Sequence, residues 1–182
     1  MDLSELRTIS EGMVVLTILP AQHRKVVNCE ILKMLTEEHG HHGAYVSLNQ
    51  PYHNLIADFG KSGINHGKVF FIDCVSEQGT EADNVIYLQG FESLTHLSLA
   101  LEHIYTNSDM AFIFLDSIDA LTIYHKTDLV LQFCRSLIER VREHSKKGIM
   151  IGLREDIDHH IIDELSLVCD KVIDMSTPLN KI

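Results

Sequence analysis

Three short stretches carry side chains whose types could do chemistry. His23-Arg24-Lys25 follows a hydrophobic run that ends at Leu19-Pro20. Imidazole, guanidinium and ammonium groups at the head of a helix add positive charge to the positive end of its dipole, a setting that suits an anion such as phosphate. Asp116 closes a second run, Ala111-Phe112-Ile113-Phe114-Leu115, and is followed by Ser117 and Asp119. A carboxylate at the end of a buried strand can ligate a divalent cation, or it can accept backbone N–H groups and cap the next turn. Asn49-Gln50 ends a third run, Gly43 to Leu48. Amides can donate and accept hydrogen bonds, but they cannot take a proton as a carboxylate does.

A loop that cradles phosphates between a strand and a helix reads G-x-x-x-x-G-K-[ST]. Its glycines let backbone N–H groups curl around phosphate oxygens, and its hydroxyl ligates magnesium. Of that pattern the stretch from Leu19 to Val26 keeps only Lys25. Leu19 and Arg24 stand at the glycine positions and Val26 at the hydroxyl. A side chain at either glycine crowds the nest, and valine cannot bind magnesium. On these residues alone Lys25 reads as a solvated residue in a helix's first turn.

Other groupings are weaker. His39, His41 and His42 crowd the stretch EEHGHHG. Imidazoles so close could share a transition metal, but a site needs ligands from several elements and a polar turn tolerates histidines freely. Asp158, His159, His160 and Asp163 form a second cluster, with His159 and Asp163 one helical turn apart. A solvated helix face is the simpler reading. Asp116 and Asp119 with Tyr124 and His125 could line a cleft and share acid–base work. The chain has no G-x-S-x-G elbow, no H-E-x-x-H and no G-x-G-x-x-G after a strand. Motifs therefore assign no catalytic residue, no metal ligand and no cofactor.

Composition narrows the partners. The 182 residues carry 15 Lys and Arg against 26 Asp and Glu, a formal net charge of −11. Nucleic-acid binders neutralise phosphates with clustered cations, and here the basic pairs are no longer than Arg24-Lys25 and Lys146-Lys147. The charge also disfavours an anionic membrane surface. With no Trp and 7% aromatic residues, a base-stacking surface is not expected. No apolar run approaches the roughly 20 residues that span a bilayer, and MDLSELRTIS lacks a signal peptide's basic-then-apolar order. Cys29, Cys74, Cys134 and Cys169 are widely spaced with no Cys-x-x-Cys pair. They are expected to be reduced, mostly buried thiols of a cytoplasmic protein.

The elements that must position these residues follow from hydrophobic period. Six short apolar runs read as strands: 13–19, 43–48, 68–75, 84–88, 110–116 and 148–153, and the stretch 171–175 follows the last helical stripe. Between them lie helical stripes: Val27, Ile31 and Leu35 ending near Gly40; 52–59; Leu94, Leu97, Leu101 and Ile104 with Ser93 as N-cap; Val130, Phe133, Leu137 and Val141; and Ile157, Ile161, Leu165 and Val168. Several strands are continuously apolar rather than alternating, the mark of a parallel sheet covered on both faces. Without repeats or a linker, residues 1–182 are expected to form one domain. Its fold class is α/β, a three-layer α/β/α sandwich with a mainly parallel central sheet.

The order and length of these segments resemble the RecA/KaiC superfamily, in particular its compact archaeal members, from about Gly12 to Met175. The resemblance is carried by AYVSLNQPYHNL (Ala44 to Leu55), KVFFIDCVS (Lys68 to Ser76), and AFIFLDSIDALTIYH (Ala111 to His125), which is similar to a Walker B strand. Leu94-Thr95-His96-Leu97-Ser98 looks like the start of the helix before that strand. The resemblance implies a RecA-like P-loop NTPase core and an inherited nucleotide site at Lys25, Arg24, His23, Asp116, Asn49 and Gln50. In active relatives the second strand ends in glutamates that activate water, and here Asn49 and Gln50 replace them. With the phosphate nest and the magnesium hydroxyl also lost, ordinary ATP hydrolysis is not expected. The leading expectation is a non-catalytic regulatory or interaction module, implicated in signalling as such relatives often are, that docks on a protein partner or forms homo-oligomers. Two alternatives stand beside it: a protein that still binds a nucleotide or other phosphorylated ligand, and an enzyme of unrelated, metal-assisted chemistry at the same strand ends.

Overall fold

Each of the six runs read as strands forms one, and residues 171–174 add a seventh. The protein is described by a computed structural model over residues 4–77, 79, 82–88, 93–107 and 109–175, so both ends of the expected 1–182 unit lie outside the described residues. The strands are β1 (Val14–Leu19), β2 (His42–Ser47), β3 (Val69–Asp73), β4 (Val85–Tyr87), β5 (Met110–Asp116), β6 (Lys147–Leu153) and β7 (Lys171–Asp174). They form one sheet in the order β4-β3-β2-β5-β6-β1-β7. The sheet was expected to be mainly parallel, and every pairing in it is parallel.

The helices are α1 (Arg24–Lys33), α2 (Tyr52–Lys61), α3 (Leu94–Thr106), α4 (Ile118–Thr122), α5 (Thr127–Glu143) and α6 (His159–Ser166). The stripe through Leu35 continues past α1 as a π-helical turn, Met34–Glu38. Ser93 caps α3 as expected, its side chain accepting the His96 N–H. Ile157 and Val168 flank α6 rather than lying in it, because Asp158 takes the N-cap position and accepts the His160 N–H.

Two cores lie on opposite faces of the sheet. Successive residues of β1 alternate between them: Val14, Leu16 and Ile18 face one, Val15 and Leu19 the other. The first core packs α3, α4, α5 and α6 through Leu97, Leu101, Ile118, Val130, Leu137 and Ile161. The second packs α1 and α2 through Val27, Ile31, Leu55 and Phe59 against Tyr45, Phe71 and Phe114. This double cover is why β1 and β6 are buried along their whole length.

The strand order creates a switch point. From β2 the chain crosses by α2 to β3, and from β5 it crosses by α4 and α5 on the other face to β6. Helices diverge from the carboxyl ends of β2 and β5, which leaves a crevice outside them. The Leu48 N–H donates to the Asp116 carbonyl at 2.7 Å and ties the two strand ends together there. Among the described residues no helix is long and apolar enough to cross a membrane.

Candidate functional site

Asp116 ends β5 with 1% of its surface exposed. It does not cap the next turn. Its Oδ2 accepts a short hydrogen bond from the Tyr45 hydroxyl and a 3.2 Å bond from Arg24 Nη1. Tyr45 stands on the neighbouring strand β2, paired in register with Phe114, two residues before Asp116. Asn28, buried one turn into α1, donates from Nδ2 to the Tyr45 oxygen at 3.2 Å. The Asp116 Oδ1 atom is buried with no hydrogen-bond partner. Burial pushes the Asp116 carboxyl above its ordinary value, with Arg24 and the hydrogen bonds acting the other way. Burial, then the neighbouring Asp116 charge, raises the Tyr45 phenol well above its own.

The head of α1 is held by a second set of contacts. Its entry turn runs from Pro20 through a single 3-10 turn, Ala21–His23, with no glycine. The Ala21 N–H donates at 2.9 Å to Oε2 of Glu155, from the turn after β6. Lys25 Nζ donates at 2.5 Å to Asp58 Oδ1 on α2, and Gln50 Nε2 donates at 3.0 Å to the other oxygen of the same carboxylate. Burial works against the Asp58 charge, yet the Lys25 and Gln50 hydrogen bonds hold its carboxyl below the ordinary value. The Ala21 N–H does the same for Glu155.

The structure thus gathers most of the residues expected in an inherited site. Arg24, Lys25, Gln50 and Asp116 line one cavity of about 10 Å³ together with Asn28, Cys29, Tyr45 and Asp58. That volume admits roughly one water molecule. Lys25 is not simply solvated: its side chain is 57% exposed but engaged by Asp58. Asn49 lies to one side, where its Nδ2 donates to the Ser117 hydroxyl at 2.7 Å. His23 is exposed at the end of the entry turn.

The other sequence groupings have different places. Asp119 is buried and its Oδ1 accepts the Leu153 N–H at 2.9 Å, tying α4 to the end of β6. Burial raises its carboxyl pKa. Tyr124 is 57% exposed. His41 Nε2 lies 3.1 Å from Lys147 Nζ, and burial followed by the Lys147 charge lowers its pKa. His159 and His160 are exposed on α6. No group of three or more His, Cys, Asp and Glu among the described residues could hold a metal ion. The four cysteines are free, and burial pushes the Cys74 and Cys134 thiols up to about 12.

Sequence reasoning missed Asn28, Tyr45, Asp58, Glu155 and Asp73. Asn28 carried a readable signal, a polar residue beside Val27 and Ile31 on the apolar side of α1. Asp73, fully buried, ends β3 and accepts the N–H groups of Tyr52, Val75 and Ser76. It joins α2 to the sheet, but a strand ending in Asp is too common a pattern to reveal this.

In sequence, Arg24 and Val26 stand where a phosphate loop has its second glycine and its hydroxyl, and the cavity beside Arg24 and Asp116 is small.

A seven-stranded parallel α/β sheet, with an acidic residue at the end of β5 facing the head of α1 across the switch point, defines a RecA-like domain of the P-loop NTPase fold. A family model described as "ATPase: KaiC" matches residues 9–181, and the chain belongs to that family. Among solved structures it is similar to a KaiC-like protein from the hyperthermophilic archaeon Pyrococcus horikoshii OT3. That match has a TM-score of 0.62 at 15% identity, over 94% of this chain and 74% of the other. No curated protein matches the chain.

Proposed function

We propose that this KaiC-family domain is a non-hydrolysing module that acts by binding a protein partner or a second copy of itself, in a regulatory role. The observation that carries the reading is the filled phosphate position. Arg24 reaches Asp116 and Lys25 reaches Asp58, so the cations that would meet a triphosphate are bound to the chain's own carboxylates. Asn49 and Gln50 offer amides where a general base would stand, and both are engaged in hydrogen bonds. A scaffold kept in order around a closed site is consistent with use of the scaffold itself. Free, mostly buried thiols agree with a reducing compartment such as the cytoplasm.

The test is turnover. Purified protein with ATP and magnesium is expected to release phosphate no faster than buffer alone. Turnover abolished by Asp116→Asn would overturn the reading and make the chain an active ATPase with an unfamiliar phosphate site.

A further inference from the structure

The amino ends of the strands, opposite Arg24 and Asp116, hold a buried ammonium against an imidazole. Lys147 opens β6 in the same alternation as Ile149, Ile151 and Leu153, which face the second core. Only 8% of its surface is exposed. Its Nζ lies 3.1 Å from Nε2 of His41, and among the described residues no carboxylate pairs with it. An ammonium can only donate, so Nε2 accepts and His41 is neutral, with its proton on Nδ1. The pair spans β5. His41 stands directly before β2, where His42 pairs with Met110 of β5, and Lys147 pairs with Phe112 of the same strand.

We propose that His41 and Lys147 form an acid-sensitive latch across the amino ends of β2, β5 and β6: a proton on Nε2 removes the acceptor, sets two cations side by side, and frees the entry to β2 from β6. The groups around His41 are set against that proton. Lys147 faces it from β6, and His39, at the end of the π-helical turn, meets it edge-on with ring centroids 5.6 Å apart. Glu11, ahead of β1, favours the proton but acts more weakly than burial, Lys147 and His39. The other charged neighbours are engaged elsewhere: Lys146 donates to the Asn107 carbonyl at 2.6 Å, and Glu38 accepts from Arg7. Because the folded chain resists the proton, stability is lost as pH drops through the ordinary imidazole value of 6.5, where the unfolded chain takes it up. The ladder between β2 and β5 is already interrupted at His42/Gly43, so the entry can part from β5 while the pairs from Gly43 to Ser47 remain. The latch lies at the other end of the sheet from the closed site and does not depend on that reading.

The experiment is amide hydrogen exchange of the full chain at about pH 7.5 and about pH 5.5, on either side of the imidazole range. The wild type is compared with His41→Gln, whose side-chain oxygen keeps an acceptor for Lys147 and does not titrate. At the higher pH the two proteins are expected to exchange alike at His42, Gly43 and Lys147. At the lower pH the wild type is expected to exchange severalfold faster there, with β1 unchanged. Equal exchange at both pH values would overturn the proposal, and so would a wild-type gain spread evenly over the sheet. If His41→Gln fails to fold, imidazole titration by NMR carries the test against Lys147→Met. The His41 resonance is expected to titrate below 6.5 in the wild type and to rise by about one unit without the ammonium. A wild-type titration at or above 6.5, or one that is the same in both proteins, would overturn the latch.

Discussion

At the scale of single residues the chemistry of Asp116 turns on its neighbours. A carboxylate at a strand end becomes a cation ligand only when its oxygens face solvent and other oxygens. Here one oxygen is spent on Tyr45 and Arg24, and the whole group is buried. Losing one partner of such a buried pair commonly costs several kcal/mol, because the other charge is left without compensation. The raised native pKa has a definite consequence for stability. From the ordinary value of 3.8 upward, the unfolded chain gives up this proton while folded Asp116 retains it, so its contribution falls as pH rises through that interval. Asp58 and Glu155, held below their ordinary values, act with opposite sign: their contribution is present above those values and is lost in acid. Chemical unfolding across that range is therefore expected to show Asp116→Asn gaining on the wild type as pH increases. A constant difference between the two proteins would show that Asp116 titrates alike in folded and unfolded chains.

At the scale of elements, the site depends on β2 and β5 lying at the right height beside one another. The register between them shifts at His42/Gly43, before the run of pairs that ends at Ser47 and Asp116. Gly43 sits where a Cβ would come within 2.4 Å of the Phe112 ring. The ring can rest on β2 only because no side chain is there. Gly43→Ala is expected to destabilise the domain by about 1–3 kcal/mol through overpacking, read as a lower urea midpoint at unchanged slope. An unchanged midpoint would mean that Phe112 moves aside freely. The crossovers matter equally. Asp73 anchors the start of α2 and Asp119 the end of β6, so buried carboxylates hold strand ends on both sides of the Asp116 position.

At the scale of the whole molecule, the family fold is kept although the glycines and hydroxyl of a phosphate loop are missing from the sequence. Fold and activity separate readily because two cores bury the sheet independently of what lies at its carboxyl edge. A ligand that binds only the folded state raises stability by RT ln(1 + [L]/Kd), about 2.7 kcal/mol at one hundred times Kd. Millimolar magnesium–ATP is therefore expected to leave the thermal midpoint unmoved. A rise of several degrees would reveal a nucleotide site elsewhere on the surface and return the search to binding.

What the sequence determined by itself was the architecture and the loss of motif. Apolar runs, helical stripes and caps such as Ser93 are local patterns, and burial of a sheet on both faces leaves few other arrangements for them. The missing glycines around Lys25 and the amides at Asn49 and Gln50 were equally plain, because they are identities at fixed spacings. What only the tertiary structure decided was which side chains meet at the head of α1. Asp58, Tyr45 and Glu155 are separated from their partners Lys25, Asp116 and Ala21 by 33, 71 and 134 positions. No local period records such contacts. They arise where the parallel strand order brings the ends of β1, β2, β5 and β6 to one edge, and there the Ala21 N–H, Arg24 and Lys25 each meet a carboxylate from a different element.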